Sequence, residues 1–273
     1  MEGVTDAPTA PKAEPAPLLV ARGLERASGR DGGAFGPVDL EAPGGSLVGV
    51  VGPNGAGKTS LLRALAGLLA VDAGTVRVRG DDLRALTAAR RARCVAWVPQ
   101  RDAVCEGWSV RAWVAQARAP YTGWTGALRA NDEGAVDGAM RVWDLAALAD
   151  RDVATLSGGE LRRCALARAF AQETPVMLLD EPLASLDLGQ QLGFATRLRG
   201  WLRPDRAAVM VVHDLAFAAR WCDALVLLAD GRVRGAGLPS DVLRSEPLSE
   251  AFGVPLRVRR GPEGVVAVDA VEG

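Results

Sequence analysis

The stretch Leu47-Val-Gly-Val-Val51, followed by Gly52-Pro-Asn-Gly-Ala-Gly-Lys-Thr59, decides how the chain is read. The first five residues show no polar alternation, which is the pattern of a strand buried on both faces. The next eight fit G-x-x-x-x-G-K-[ST], and Leu61, Leu65, Leu68 and Leu69 behind them have helical spacing. Strand, loop and helix in that order are the context this motif requires. Gly52, Gly55 and Gly57 let the backbone curl around Pro53, so that the N–H groups of Asn54, Gly55, Ala56 and their neighbours can form an anion nest at a helix N-terminus. Lys58 adds a full charge for phosphate oxygens, Thr59 offers a hydroxyl to Mg²⁺, and Ser60 is a further donor. A Gly-rich turn that merely precedes a helix is the bland alternative.

Outward from this loop, three more apolar runs stand out: Val176–Leu179, Ala208–Val212 and Ala224–Leu228. Helical spacings lie between them, for example Leu161, Ala165, Leu166 and Ala169. Strands alternating with helices predict an α/β sheet covered by helices. Leu18–Ala21, Val38–Leu40 and Thr75–Val78 suggest an antiparallel edge. Residues 101–155 differ: they hold Trp108, Trp113, Trp124, Trp143 and the only Tyr, Tyr121, and no apolar strand run. They read as an inserted helical subdomain whose aromatics build a small local core. The expected division is a disordered leader over 1–17, a domain over 18–244 (core 18–100 and 156–244, insert 101–155), and a C-terminal appendage over 245–273.

The 273 residues carry 32 Lys plus Arg, 33 Asp plus Glu and one His, for a net charge of −1. That balance argues against a polybasic nucleic-acid or membrane-surface protein. Lys12 and Lys58 are the only lysines. A single histidine excludes His-cluster metal sites. Cys94, Cys105, Cys164 and Cys222 form no C-x-x-C pair, so neither a zinc site nor a disulfide framework is expected. No segment reaches the ~18 apolar residues of a membrane span.

Other chemistry clusters at strand ends. Val176-Met-Leu-Leu-Asp180-Glu181 runs an apolar strand into two carboxylates, where α/β sheets bind ligands. Asp180 would hold Mg²⁺, and Glu181 would orient or deprotonate an attacking water. A strand simply leaving the core through acidic residues is the alternative. Leu156-Ser-Gly-Gly-Glu160 precedes a helix. Ser157 and Glu160 form a capping box, while Gly158 and Gly159 expose N–H groups as a second anion site. His213 follows the run Ala208–Val212 and precedes Asp214, and Gln100 stands in Val98-Pro-Gln where the core meets the insert. Alone, each would pass as a structural histidine and a surface amide.

Together these pieces resemble the ATP-binding subunit of an ABC transporter over about residues 18–240. The order is Walker A at 52–59, Q-loop Gln100, signature Leu156–Glu160, Walker B ending at Asp180-Glu181, D-loop Ser185-Leu186-Asp187, and switch His213. The resemblance implies a P-loop (RecA-like) ATPase core with an antiparallel β edge and an inserted α-helical subdomain. It implies ATP with Mg²⁺ on Thr59, Gln100 and Asp180, and catalytic roles for Glu181, His213 and Gln100. It further implies a head-to-tail homodimer, in which Ser157 and Gly159 of one chain close over the γ-phosphate bound by the other.

The stretches Ala117–Trp124, Val212–Arg220 and Ala251–Arg257 look like importer ATPases for iron–siderophore, haem or cobalamin. Such subunits work with two integral-membrane permease subunits on the cytoplasmic face of the cell membrane, and indirectly with a substrate-binding protein. No nucleic acid is implied. An exporter subunit, a non-transport ABC ATPase and an inert nucleotide-binding scaffold are the rival readings. Two departures stand out. Arg26–Ala34 lacks the aromatic on which the family stacks adenine, a loss of roughly 1–2 kcal/mol by analogy with base stacking. Leu183 stands where the family often has a polar residue.

Overall fold

The computed structural model describes residues 17–27, 29, 33–101, 106–123, 126–184, 186–261 and 266–270. The expected leader lies outside these except for Pro17, as do Cys105, Trp124 and Ser185.

The strands are β1 (Pro17–Arg26), β2 (Phe35–Pro43), β3 (Leu47–Val51), β4 (Ala73–Val78), β5 (Asp81–Asp82), β6 (Val95–Val98), β7 (Val176–Leu179), β8 (Ala207–Val211), β9 (Ala224–Ala229), β10 (Arg232–Gly237), β11 (Leu256–Arg260) and β12 (Val266–Ala270). Among the described residues they form three sheets. The central one has the order β10-β9-β3-β8-β7-β6. Its members β9, β3, β8, β7 and β6 run parallel, and β10 closes one edge antiparallel. The second sheet, β2-β1-β4-β5, is antiparallel, and β11-β12 is a hairpin.

The α-helices are α1 (Lys58–Leu65), α2 (Ala88–Cys94), α3 (Val110–Ala115), α4 (Ala119–Thr122), α5 (Ala130–Val142), α6 (Gly158–Ala171), α7 (Leu188–Trp201), α8 (Leu215–Trp221), α9 (Pro239–Val242) and α10 (Ser245–Phe252). None among the described residues is long and apolar enough to cross a membrane.

The period of two along each central strand sends alternate side chains into two cores. Leu47 and Val51 of β3 join Met177, Leu179, Ala208 and Met210 on one face. Val48 and Val50 join Leu178, Val209 and Val211 on the other, with Leu61, Leu62 and Leu65 of α1 and Leu19, Ala21 and Leu24 of β1. The antiparallel sheet therefore covers the α1 side. Each such side chain, fully buried, contributes about 1.5–3 kcal/mol, which fixes the strand ends that carry the polar residues.

Two expectations change. The helix after the phosphate loop is shorter than Leu68 and Leu69 suggest. It stops at Leu65, because Gly67 turns the backbone left-handed at φ 67°, a common helix ending. Leu68 is consequently 52% exposed. The aromatics of 101–155 also build no separate local core. Trp113 and Trp143 belong to the same core as Met177 and Phe194, and the Trp143 ring meets Phe170 edge-on at 5.2 Å. Trp108 is exposed. Tyr121 donates its hydroxyl to Gln172 O at 2.8 Å, under the Arg118 guanidinium.

Candidate active site

Parallel strands β3, β6, β7 and β8 end side by side, and each delivers one part of the site. After β3 the chain turns sharply at Gly52, with φ 144°. A Cβ there would lie 1.9 Å from Leu228 O of β9, so no other residue fits. Helix α1 then starts from Gly57 with no side-chain cap on its first N–H groups. The helices after it that matter here are capped: Ser157 caps α6 and Asp187 caps α7. The α1 terminus thus presents its donors to the loop, as an anion site needs.

Lys58 is 6% exposed. Its ammonium donates to Gly52 O at 2.8 Å and Pro53 O at 2.7 Å. Burial pulls its pKa down, against the attraction of Glu181 and Asp180. Thr59 Oγ1 donates to Asp180 Oδ1 at 3.1 Å. Asp180 is 2% exposed, and burial raises its carboxyl pKa despite the Thr59 bond. Its backbone N–H donates to Val98 O at 2.9 Å, which keeps the ends of β6 and β7 level. Ser60 faces elsewhere: its hydroxyl accepts from the Gly33 N–H at 3.0 Å. Gly33, near the end of the segment without an aromatic, therefore touches the first turn of α1.

Glu181 has φ 46°, left-handed for a residue that also precedes a proline. Such backbone costs about 1–3 kcal/mol and persists only where its surroundings hold it. Both carboxylate oxygens are engaged. Gln100 Nε2 donates to Oε2 at 2.6 Å, and His213 Nε2 lies 2.6 Å from Oε1. A carboxylate only accepts, so the His213 ring N–H donates. Asp214 caps α8 through Ala216 N and Phe217 N, which sets the His213 backbone.

Thr59 and Asp180 supply oxygen donors side by side, the chemistry a hard cation prefers. No trio of His, Cys, Asp or Glu side chains suited to a metal gathers among the described residues. Thr59 and Asp180 are thus the residues that could hold a divalent cation at this site. Gln100 spends its amide N–H on Glu181.

The structure brings Gly52, Pro53, Lys58, Thr59, Gln100, Asp180, Glu181 and His213 together. It does not bring the second anion site to them. Ser157 Oγ donates to Glu160 Oε2 at 2.7 Å, and the Ser157 N–H reaches the same oxygen at 2.8 Å. Those bonds depress the Glu160 pKa. Gly158 and Gly159 begin α6. Asp187 Oδ1 accepts from Gln190 N at 2.8 Å. Leu183 packs against the core. The sequence reading passed over Arg162. Its guanidinium donates to Pro99 O at 2.7 Å, Asp180 O at 3.2 Å and Pro182 O at 3.2 Å. Nothing in an arginine two residues after a capping box marks that role.

Known proteins are similar to this chain. The ABC transporter family model matches residues 35–184. A cobalamin import ATP-binding protein of Halobacterium salinarum is 48% identical over 226 residues, covering 82% of this chain and 56% of the relative. This chain thus spans little more than half of that protein's length. A hemin import ATP-binding protein of Streptomyces coelicolor is 40% identical over 91% of this chain and 88% of its own. A probable siderophore transport ATP-binding protein of Bacillus subtilis is 35% identical over 82% of each. Among solved structures, a dimeric bacterial ABC transporter cassette superposes with TM-score 0.71 at 21% identity, covering 81% of this chain and 99% of its own. That likeness concerns the fold. The chain belongs to the ABC transporter family, as an ATP-binding cassette.

Proposed function

We propose that the chain hydrolyses ATP to power an importer of iron–siderophore, haem or cobalamin type. One observation carries the hydrolytic part: the Glu181 carboxylate is gripped on both oxygens, by Gln100 and His213, beside the phosphate loop. The names of the relatives support the importer part.

In this reading Lys58 and the N–H groups of 52–60 hold the β- and γ-phosphates. Thr59 and Asp180, with Gln100, would hold Mg²⁺, which would supply charge to neutralise the phosphates. Glu181 orients the attacking water and accepts its proton, and His213 donates toward the γ-phosphate or the Glu181 oxygen. Ser157, Gly158, Gly159 and Glu160 lie apart from the loop of their own chain. They would serve the nucleotide of a second copy in a head-to-tail homodimer, with Asp187 at the shared boundary. Two integral-membrane permease subunits would receive the motion at the cytoplasmic face, and a substrate-binding protein would deliver cargo.

The test is phosphate release by the purified full chain, followed by pull-down of membrane proteins. ATP turnover abolished by Glu181→Gln, with co-purification of a permease that takes up a metal chelate or corrinoid, is the expected result. Turnover that survives Glu181→Gln overturns the site. Coupling to an export permease overturns the importer assignment.

A further inference from the structure

Arg162 lies on α6, two residues beyond the Ser157–Glu160 box. Its three carbonyl acceptors belong to two other elements. Pro99 O is one peptide before Gln100, and Asp180 O and Pro182 O flank Glu181. One planar guanidinium therefore ties the ends of β6 and β7 to the helix that carries the second anion site. We infer that Arg162 is a positioning residue for hydrolysis, holding the Gln100 and Glu181 segments in register with the N-terminus of α6. This rests on the ATPase reading above.

Three features support it. The guanidinium offers five N–H donors in a fixed fork, whereas lysine offers a point charge and glutamine two donors. Only arginine spans three carbonyls on two segments. Next, Glu181 sits left-handed between Asp180 and Pro182. Backbone of that kind stays in place only under restraint, and Arg162 binds the carbonyl on each side of it. If those carbonyls turn, the Glu181 carboxylate swings away from Gln100 and His213. Finally, α6 is anchored without Arg162. Cys164, Ala165, Leu166 and Ala169 on the same helix lie in the core, so the helix keeps its place when the guanidinium is removed. The loss then falls on the geometry of the site.

The experiment uses the full chain with Arg162→Gln and Arg162→Lys. Melting temperature, ATP affinity by displacement of a fluorescent nucleotide, and kcat and KM by phosphate release are measured. Arg162→Gln is expected to lower kcat at least ~10-fold with KM and ATP affinity within ~2-fold, the signature of an interaction needed only for the chemical step. Arg162→Lys should recover part of the rate. If Arg162→Gln does not fold, Arg162→Lys carries the same comparison with wild type. A cycle with Gln100→Ala separates positioning from general damage. Residues acting through one unit are non-additive, so the double variant should lose little more than the worse single one. Fully multiplicative losses, or an unchanged kcat in Arg162→Gln, overturn the inference while wild-type turnover stands. A wild-type chain with no turnover overturns the ATPase reading instead.

Discussion

His213 Nε2 sits 2.6 Å from Glu181 Oε1 across the ends of the adjacent parallel strands β8 and β7. The one histidine of the chain thus touches the carboxylate that follows Asp180 at the end of β7. Gln100 closes on the other oxygen from β6. A carboxylate held on both sides has little freedom to wander, so its orientation is set before any water arrives.

Glu181→Gln should leave ATP binding within a factor of a few and lower turnover by about 10²- to 10⁴-fold, the usual range for a general base. The amide keeps the shape but has only one accepting oxygen for its two neighbours, and it cannot take a proton. Retention of more than about a tenth of wild-type kcat in phosphate release would contradict the role.

Gly52→Ala places a Cβ 1.9 Å from Leu228 O at a φ of 144°. Strained backbone alone costs about 1–3 kcal/mol, and the clash forces β3 and β9 apart. Thermal unfolding should show a clear fall in Tm together with loss of nucleotide binding. A variant with wild-type Tm and affinity would show that the loop has another path.

Asp180→Asn tests the cost of the buried carboxylate. Burial raises the Asp180 pKa, so the folded state prefers the protonated acid more than the unfolded state does. Its contribution to stability is then best at low pH and is lost as pH rises through the folded pKa. The neutral amide removes that cost. At neutral pH the nucleotide-free variant should melt higher than wild type, while the rise in Tm produced by Mg²⁺ with ATP should shrink. A lower Tm without nucleotide would refute the argument.

Asp132 titrates in the opposite sense. The Arg129 backbone N–H, and then Arg118, hold its carboxyl below the ordinary range. A depressed folded pKa gives stability that is present above the unfolded value, about 3.9, and fades as pH falls through the folded one. Acid unfolding of Asp132→Asn, followed by circular dichroism, should be shallower below pH ~4 than that of wild type. Parallel curves would remove Asp132 from the acid limb.

Much of the sheet was legible because its strands are buried on both faces. The unbroken apolar runs of β3 and β7 have the same ends in sequence and structure. Strand β6, Val95–Val98, was missed because it follows Arg-rich α2 without a breaker. The end of α1 was misplaced because Leu68 keeps helical spacing beyond Gly67, whose turn outweighs periodicity. Strand-end residues of the site were legible from position. Their mutual bonds were not, since Gln100 and Glu181 are 81 residues apart and meet only through β6–β7 pairing. Arg162 was invisible for the same reason: its three partners are backbone carbonyls, and carbonyls have no letter in a sequence.

Lys58 has a practical consequence for handling the protein. It is the one lysine in the described body, and Lys12 is the only other in the chain. Amine-directed reagents therefore find no other lysine among the described residues, where the remaining basic side chains are guanidinium groups and the one imidazole. Any label or cross-link recovered between residues 17 and 270 would report access to the phosphate loop. Burial lowers the Lys58 pKa, so more of this amine is unprotonated near neutral pH than on a solvated lysine. An acylating analogue that enters the loop would meet a single nucleophile, and a occupied loop would shield it, so footprinting with such a reagent reads nucleotide occupancy at one defined atom.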